Sequence, residues 1–124
     1  MKFTTTTVKG AGRGKELGFP TVNMFVTDNI PVSLRPGVYA ATAIIGGQKY
    51  FGALCYGPAL TFDETEYKLE IYLFDTLGFY AKEGESIEIE TIKYIRDIKK
   101  FDFPELLIKQ MNEDVLKIRN VLKI

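Results

Sequence analysis

The chain has 124 residues, of which 46% are hydrophobic and 26% are charged, and its formal net charge is zero. This length and balance predict a single globular domain over residues 1–124 with one hydrophobic core. Zero net charge excludes a general electrostatic attraction to nucleic acid or to an anionic membrane, so we expect neither as a partner. The chain contains no histidine, so a general base would have to be a carboxylate, a lysine or a tyrosine.

The single cysteine, Cys55, cannot form an internal disulfide. This favours a reducing compartment, and we expect a cytoplasmic, monomeric protein. No apolar run approaches the ~20 residues that a membrane-spanning helix needs, and the N-terminus lacks the apolar core of a secretion signal. Because Cys55 lies in an apolar stretch, the simplest interpretation is a small core residue.

Five or six short strands are predicted from β-branched and aromatic content and from alternating polarity. They cover residues 3–9, 22–26, 37–45, 49–56, 68–75 and 86–95. The paired glycines Gly46 and Gly47 predict a tight hairpin turn between the third and fourth strands, since glycine tolerates the positive φ of such turns. This order of elements excludes alternating βαβ units and favours an antiparallel barrel.

The fifth and sixth predicted strands alternate most clearly. One face of the fifth consists of Leu69, Ile71 and Leu73, and the other of Lys68, Glu70, Tyr72 and Phe74. One face of the sixth consists of Ile87, Ile89, Thr91, Lys93 and Ile95, and the other of Ser86, Glu88, Glu90, Ile92 and Tyr94. Each strand is therefore expected to present one face to the core along its whole length.

A helix is predicted over residues 103–122, packed on the outside of the barrel or across one end. Asp102 and Glu105 form a pattern typical of a capping box, and Pro104 is tolerated at the first helical position. An apolar stripe runs through Leu107, Met111, Val115, Ile118 and Leu122. We interpret the stripe as core packing, because spacings of three and four place these residues on one helical face.

The segment 10–23 is the strongest candidate for a binding site. It reads Gly-Ala-Gly-Arg-Gly-Lys-Glu-Leu-Gly-Phe-Pro-Thr-Val-Asn. The glycines at positions 10, 12, 14 and 18 leave backbone N–H groups uncovered, and such concavities suit phosphate. Arg13 and Lys15 add positive charge, although both are equally well explained as solvated charges. A purely structural loop of glycine turns is the alternative.

Thr21 and Asn23 follow the glycines and place two neutral oxygens on one side of an extended segment. A backbone cradle, a cationic rim and two hard oxygen ligands together suit a magnesium–nucleotide complex. The dinucleotide-binding pattern fails at Lys15, and the P-loop pattern fails because Glu16 follows Lys15. The sequence therefore predicts a phosphate site of neither familiar kind.

Four motifs, in this order, resemble the riboflavin kinase (flavokinase) family. The most specific is the segment 8–23, against the family pattern G-x-G-R-G followed by L-G-x-P-T-A-N. The others are Pro36-Gly-Val-Tyr39, Leu69-Glu-Ile-Tyr-Leu-Phe-Asp75 and Ile95-Arg-Asp-Ile-Lys-Lys-Phe101. The resemblance covers nearly the whole chain. It implies a six-stranded antiparallel, Greek-key-like barrel and transfer of the γ-phosphate of ATP to the 5′-hydroxyl of riboflavin, giving FMN and ADP.

The resemblance also implies roles for individual residues. The implied nucleotide-binding residues are Gly10, Gly12, Arg13, Gly14, Lys15, Gly18, Pro20, Thr21 and Asn23. Thr21 and Asn23 would also hold Mg²⁺, and Glu70 would be the catalytic carboxylate. The implied flavin-binding residues are Arg96, Phe101 and Tyr72. By strand pattern alone Glu70 is a solvent-facing residue and Tyr72 a packing residue, so these two assignments depend on the resemblance.

The chain departs from the family pattern in two places, both on the side expected to bind flavin. The segment 55–62 lacks an asparagine and a proline of the family, and Ile98 stands where the family has glutamate. The adenylyltransferase domain of bifunctional relatives is absent, so we expect the reaction to stop at FMN. Two further hypotheses stay open: a non-catalytic flavin or nucleotide sensor on the same barrel, and a small barrel that binds RNA or protein.

Overall fold

The computed structural model describes residues 1–10, 18–76 and 82–124. Its elements are β1 (Lys2–Val8), β2 (Val22–Met24), β3 (Gly37–Ile45), β4 (Gln48–Gly57), β5 (Lys68–Leu73), β6 (Ser86–Arg96) and α1 (Pro104–Leu122). The six strands form a closed barrel in the order β1-β2-β5-β4-β3-β6, and every neighbouring pair is antiparallel. The predicted six-stranded antiparallel barrel with a C-terminal helix is confirmed.

The barrel interior is filled by the inward-facing residues that alternation predicts. On β5, Leu69, Ile71 and Leu73 are each at most 5% exposed, and this face of the strand is confirmed. On β6, Ile87 and Ile89 are fully buried beside them. The turn at Gly46 and Gly47 has the predicted positive φ angles, +57° and +79°.

The second half of β6 does not alternate as predicted. Two register shifts against β3 leave Ile92 and Ile95 as extra residues in the ladder. Each extra residue moves the following side chains to the other face of the sheet. As a result Lys93 is exposed, Tyr94 packs against the barrel interior, and Ile95 packs outside the barrel with the helix. The prediction for Lys93, Tyr94 and Ile95 is therefore wrong.

Helix α1 covers the outside of the barrel. Its fully buried Ile118 packs on Val38, Ala40, Phe74 and Ile95, a group we call the outer cluster. Val115 and Leu122 are half-buried against the same cluster, as the core interpretation of the stripe predicts. The other two stripe residues, Leu107 and Met111, do not belong to this cluster and, like Val115, line a cleft between the helix and the barrel, so the core interpretation is not confirmed for them.

The predicted capping box is also wrong. The N-cap position is taken by Phe103, whose backbone is extended and which offers no side-chain cap, while Pro104 stands at the first helical position as predicted. Asp102 lies one residue too early to accept from the first-turn N–H groups. Within the parts of the chain that the structure describes, no helix is long and apolar enough to cross a bilayer.

We expect Ile118→Ala to lower the free energy of unfolding by about 3 kcal/mol, because it leaves a cavity between α1 and the outer cluster. Urea denaturation followed by circular dichroism measures this change. The matched control is Leu116→Ala on the same helix, where the side chain is 70% exposed and the expected loss is below about 0.5 kcal/mol. Equal losses in the two variants would contradict the docking of α1 through Ile118.

Candidate active site

A cleft separates α1 from the outer face of the barrel, and we call it the helix cleft. Its floor is formed by outward-facing residues of β4 and β5, among them Ala53, Cys55, Glu70 and Tyr72. The small side chains on β4 leave room above the floor, and the inward direction of Ile71 forces its neighbours in sequence outward. The helix cleft encloses about 1210 Å³, its open mouth included.

Three predicted site residues meet in the helix cleft. Asn23 on β2 lies directly opposite Glu70 on β5 in the strand pairing. The hydroxyl of Thr21 donates a hydrogen bond to Glu70 Oε2 over 3.2 Å. Thr21 and Asn23 also lie on the same side of their segment, as predicted, since Val22 between them packs against the core. The fold thus brings Glu70 together with two residues that precede it by 47 and 49 positions in the sequence.

The start of the glycine-rich segment lies against this group. A Cβ atom at Gly10 would overlap the side chain of Asn23, which would have to shift to admit any other residue there. At the other end of the segment, Gly18 has a φ of +88°, which favours glycine, and Pro20 is exposed. The predicted nucleotide-binding residues Gly12, Arg13, Gly14 and Lys15 lie outside the described residues.

A second, more open pocket adjoins the helix cleft on the glycine side, and we call it the glycine-side pocket. It is lined by residues of three segments: Val8, Lys9 and Gly10; Asn23 to Val26; and Glu66 to Leu69. Asn23 and Lys68 line both this pocket and the helix cleft. The two spaces therefore meet beside the Asn23–Glu70 pair.

The three residues predicted to bind flavin all line the helix cleft. The ring of Tyr72 packs edge-to-face on Phe19, with the ring centroids 5.3 Å apart. Phe101 donates its backbone N–H to Thr61 Oγ1 over 3.1 Å, which ties the β6–α1 connection to the short 3-10 turn at Leu60–Phe62. These contacts fix the ring of Tyr72 and the backbone of Phe101 in the lining of the cleft.

Arg96 has a structural partner that the sequence did not indicate. Its guanidinium binds Asp114 of α1 through Nε (2.9 and 3.0 Å) and Nη2 (2.7 Å), and its Nη1 donates to the Asp97 carbonyl. Gln110 donates a further hydrogen bond to Asp114 over 3.0 Å. Because Asp114 is only 5% exposed, this pair attaches the helix wall firmly to β6. In the sequence, the signal for this ion pair is Asp114 itself, a charged residue next to Val115 of the apolar stripe.

The two departures from the family pattern contact each other. The side chain of Ile98 lies so close to Gly57 that a Cβ there would be 2.9 Å from Ile98 Cγ1. Both residues line the helix cleft. The two departures from the family pattern, in segment 55–62 and at position 98, thus lie in the same apolar wall of the helix cleft.

Cys55 packs against the outer cluster, which is consistent with the prediction of a small core residue, and it also lines the helix cleft. Burial raises the pKa of its thiol to about 12; the carboxylates of Glu70 and Asp114 add to this rise, and Arg96 opposes it. The thiol is therefore protonated and unreactive at neutral pH.

Thr21, Asn23 and Glu70 could bind a hard divalent cation only together with other ligands. Among the described residues there is no cluster of three or more acidic, cysteine or histidine side chains that could hold a metal ion. Thr21, Asn23 and Glu70 nevertheless supply hydroxyl, amide and carboxylate oxygens, the donors that Mg²⁺ prefers. The residues fit a magnesium ion that takes most of its ligands from phosphate and water.

Comparisons with known proteins show what the whole chain is similar to. The family model for riboflavin kinase (Flavokinase) matches residues 1–122. An RNA-binding riboflavin kinase, RibR, from Bacillus subtilis (strain 168) is 38% identical over 112 residues, which are 89% of this chain and 46% of that protein. Riboflavin kinase from Homo sapiens is 31% identical over 123 residues, which are 94% of this chain and 77% of the human protein.

Among solved structures, riboflavin kinase from Trypanosoma brucei superimposes with a TM-score of 0.69 and 21% identity, over 98% of this chain and 79% of that one. At this identity the likeness concerns the fold. The chain spans less than half the length of several bacterial relatives that it matches.

We expect Asp114→Asn to lower the free energy of unfolding by about 3 kcal/mol, because the buried guanidinium of Arg96 loses its counter-charge. Chemical denaturation measures the loss. The matched control is Glu88→Gln, which removes the partly exposed ion pair with Lys2 (3.3 Å) and should cost less than about 1 kcal/mol. A loss for Asp114→Asn as small as the control's would show that the pair does not hold α1.

We expect the Cys55 thiol to react at least 100-fold more slowly with iodoacetamide at pH 8 in the native protein than in urea. The reason is that the folded pKa is about 12 against an ordinary value of 9.0, so the thiolate is scarce when the chain is folded. Since the chain has one cysteine, mass spectrometry follows this one site. Native and unfolded rates within tenfold of each other would contradict the raised pKa.

Proposed function

The chain belongs to the riboflavin kinase family. On that premise we propose that it transfers the γ-phosphate of ATP to the 5′-hydroxyl of riboflavin, giving FMN and ADP. The observation that carries the proposal is the meeting of Thr21, Asn23 and Glu70 at the junction of two adjoining spaces. A two-substrate transfer needs such an arrangement, in which donor and acceptor approach a common point from two sides.

Glu70 is proposed as the general base. Its carboxylate orients the 5′-hydroxyl and accepts its proton while the hydroxyl oxygen forms a bond to the γ-phosphorus and the bond to the β–γ bridging oxygen breaks. The hydrogen bond from Thr21 holds one carboxylate oxygen in place. With no histidine in the chain, a carboxylate in this position is the group suited to the task, worth typically ~10²–10⁴-fold in rate.

The nucleotide is proposed to lie on the glycine side. Gly10 begins the glycine-rich segment and borders Asn23. Phosphates bound by that segment would therefore lie beside Thr21, Asn23 and Glu70. Thr21 and Asn23 are proposed to hold Mg²⁺, which when bound neutralises phosphate charge. Phosphoryl transfer depends mainly on such positioning and charge neutralisation.

The flavin is proposed to lie in the helix cleft. Tyr72 and Phe101 present aromatic rings, and Leu107 and Met111 of α1 present aliphatic surface, which together suit a flat apolar ring system. Arg96 is proposed to act here by fixing α1, since its hydrogen bonds go to Asp114 and Asp97. The free thiol of Cys55 supports a reducing, cytoplasmic location, and one barrel with one packed helix supports a single domain over 1–124. The monomeric state stays a prediction.

We expect Glu70→Gln to lower the rate of FMN formation at least ~100-fold, because the amide still accepts the Thr21 hydrogen bond but cannot accept a proton. Chromatography of FMN formed from riboflavin, ATP and Mg²⁺ measures the rate. The control is Glu90→Gln, an exposed β6 residue outside both spaces, which should keep full activity. Full activity of the Glu70 variant would assign the base elsewhere, and flavin binding without any turnover by the unaltered chain would favour a sensor.

A further inference from the structure

Lys68 stands where the helix cleft and the glycine-side pocket meet. Of the described residues that line the two spaces, Asn23 and Lys68 are the ones that line both. Asn23 is already part of the proposed phosphate and magnesium site. Lys68 has no role in that site, and strand pattern alone marks it only as an outward-facing residue of β5.

The pairing of short β2 explains the position of Lys68. The last pair between β2 and β5 joins Met24 to Leu69, so Lys68 lies one residue beyond the paired region. On its other side it pairs with Gly57 of β4, which has no side chain to fill the space. Strand alternation places Lys68 and Glu70 on the same outer face, about 6.6 Å apart along the strand. A lysine side chain is long enough to span that separation.

The ammonium of Lys68 is held by an interaction that a ligand can replace. It forms an ion pair with Glu64 Oε1 at 2.8 Å, with side-chain exposures of 36% for Lys68 and 22% for Glu64. The Lys68 side chain is the more exposed partner of this pair, since Glu64 Oε1 itself has almost no accessible surface. A nucleoside triphosphate carries several negative charges, so its phosphates would compete effectively with one carboxylate for the ammonium.

The contrast with Arg96 strengthens the assignment. Arg96 also lines the helix cleft, but its guanidinium is committed to the nearly buried Asp114. Replacing that pair would detach the helix wall, whereas Lys68 and Glu64 belong to neither core cluster. Lys68 is thus a cation on the same strand face as Glu70 that is suited to binding an incoming anion.

We propose that Lys68 is a nucleotide-binding residue whose ammonium leaves Glu64 and contacts the phosphates of the nucleoside triphosphate at the junction of the two spaces. This inference rests on the proposed function and extends it to a residue outside the matched motif of segment 8–23. Lys68 contributes a positive charge to the transfer and forms no covalent bond.

The test is Lys68→Met, which keeps the length of the side chain and removes its charge. We expect the KM for ATP to rise about 10-fold, with the KM for riboflavin unchanged within twofold, because only the nucleotide carries phosphates. The matched control is Lys93→Met, an exposed β6 lysine outside both spaces, which should change neither constant. A KM for ATP that stays within twofold in the Lys68 variant would overturn the proposal.

Glu64→Gln separates phosphate binding from the role of the ion pair itself. We expect it to lower the KM for ATP or leave it unchanged, since the ammonium is then released for the ligand. A rise as large as that of Lys68→Met would show that the pair merely shapes the cleft, and would overturn the proposal.

Calorimetric titration with Mg²⁺ and ADP tests Lys68 without turnover. We expect about 10-fold weaker binding by Lys68→Met than by the unaltered chain. If the unaltered chain makes no FMN, the proposed function fails while this titration still decides the role of Lys68. Equal ADP affinity of the two proteins, or no ADP binding by the unaltered chain, would overturn it.

Discussion

The pairing of β2 with β5 is the constraint on which the rest of this structure depends. It closes the barrel between two elements that are far apart in sequence, and only three residue pairs make it. Such a contact has to overcome the entropy of closing a long loop, so the adjoining buried residues Met24, Leu69 and Ile71 must supply most of the stabilisation. The same three pairs place Asn23 against Glu70. The contacts that close the core therefore also assemble the site.

The second requirement is that α1 stay slightly apart from the barrel wall. Ile118 packs tightly on the outer cluster, whereas the first half of the helix borders a cleft. The Arg96–Asp114 pair lies between these two regions and fixes the distance of the helix from β6. The side chains of Ala53 and Cys55 on β4 are small and therefore leave space above the floor of the helix cleft. An apolar space of this kind persists because a buried charge pair and a packed contact hold its two walls.

Two of the cations that line the site, Arg96 and Lys68, differ in how they are held. The side chain of Arg96 is 15% exposed and donates four hydrogen bonds to Asp114 and Asp97, so its role is structural. Lys68 keeps a more open pair with Glu64 and borders both spaces. Exposure decides the difference: the Arg96–Asp114 pair is the more desolvated and therefore the costlier to break, whereas the side chain of Lys68 is more exposed to an incoming ligand. The family motifs single out Arg96 and leave Lys68 unmarked.

The order of the elements, the faces of β5 and the family could be predicted from the sequence alone. Alternation placed Leu69, Ile71 and Leu73 inside and Glu70 outside, since these preferences act within one strand or turn. Only the tertiary structure decided the bulges of β6, the N-cap at Phe103 and the partner of Asp114. A bulge depends on how neighbouring strands close around a common core, and an ion pair between β6 and α1 depends on where the helix docks. Local patterns do not specify the positions of the bulges or the partner of Asp114, because both are set by contacts between residues distant in sequence.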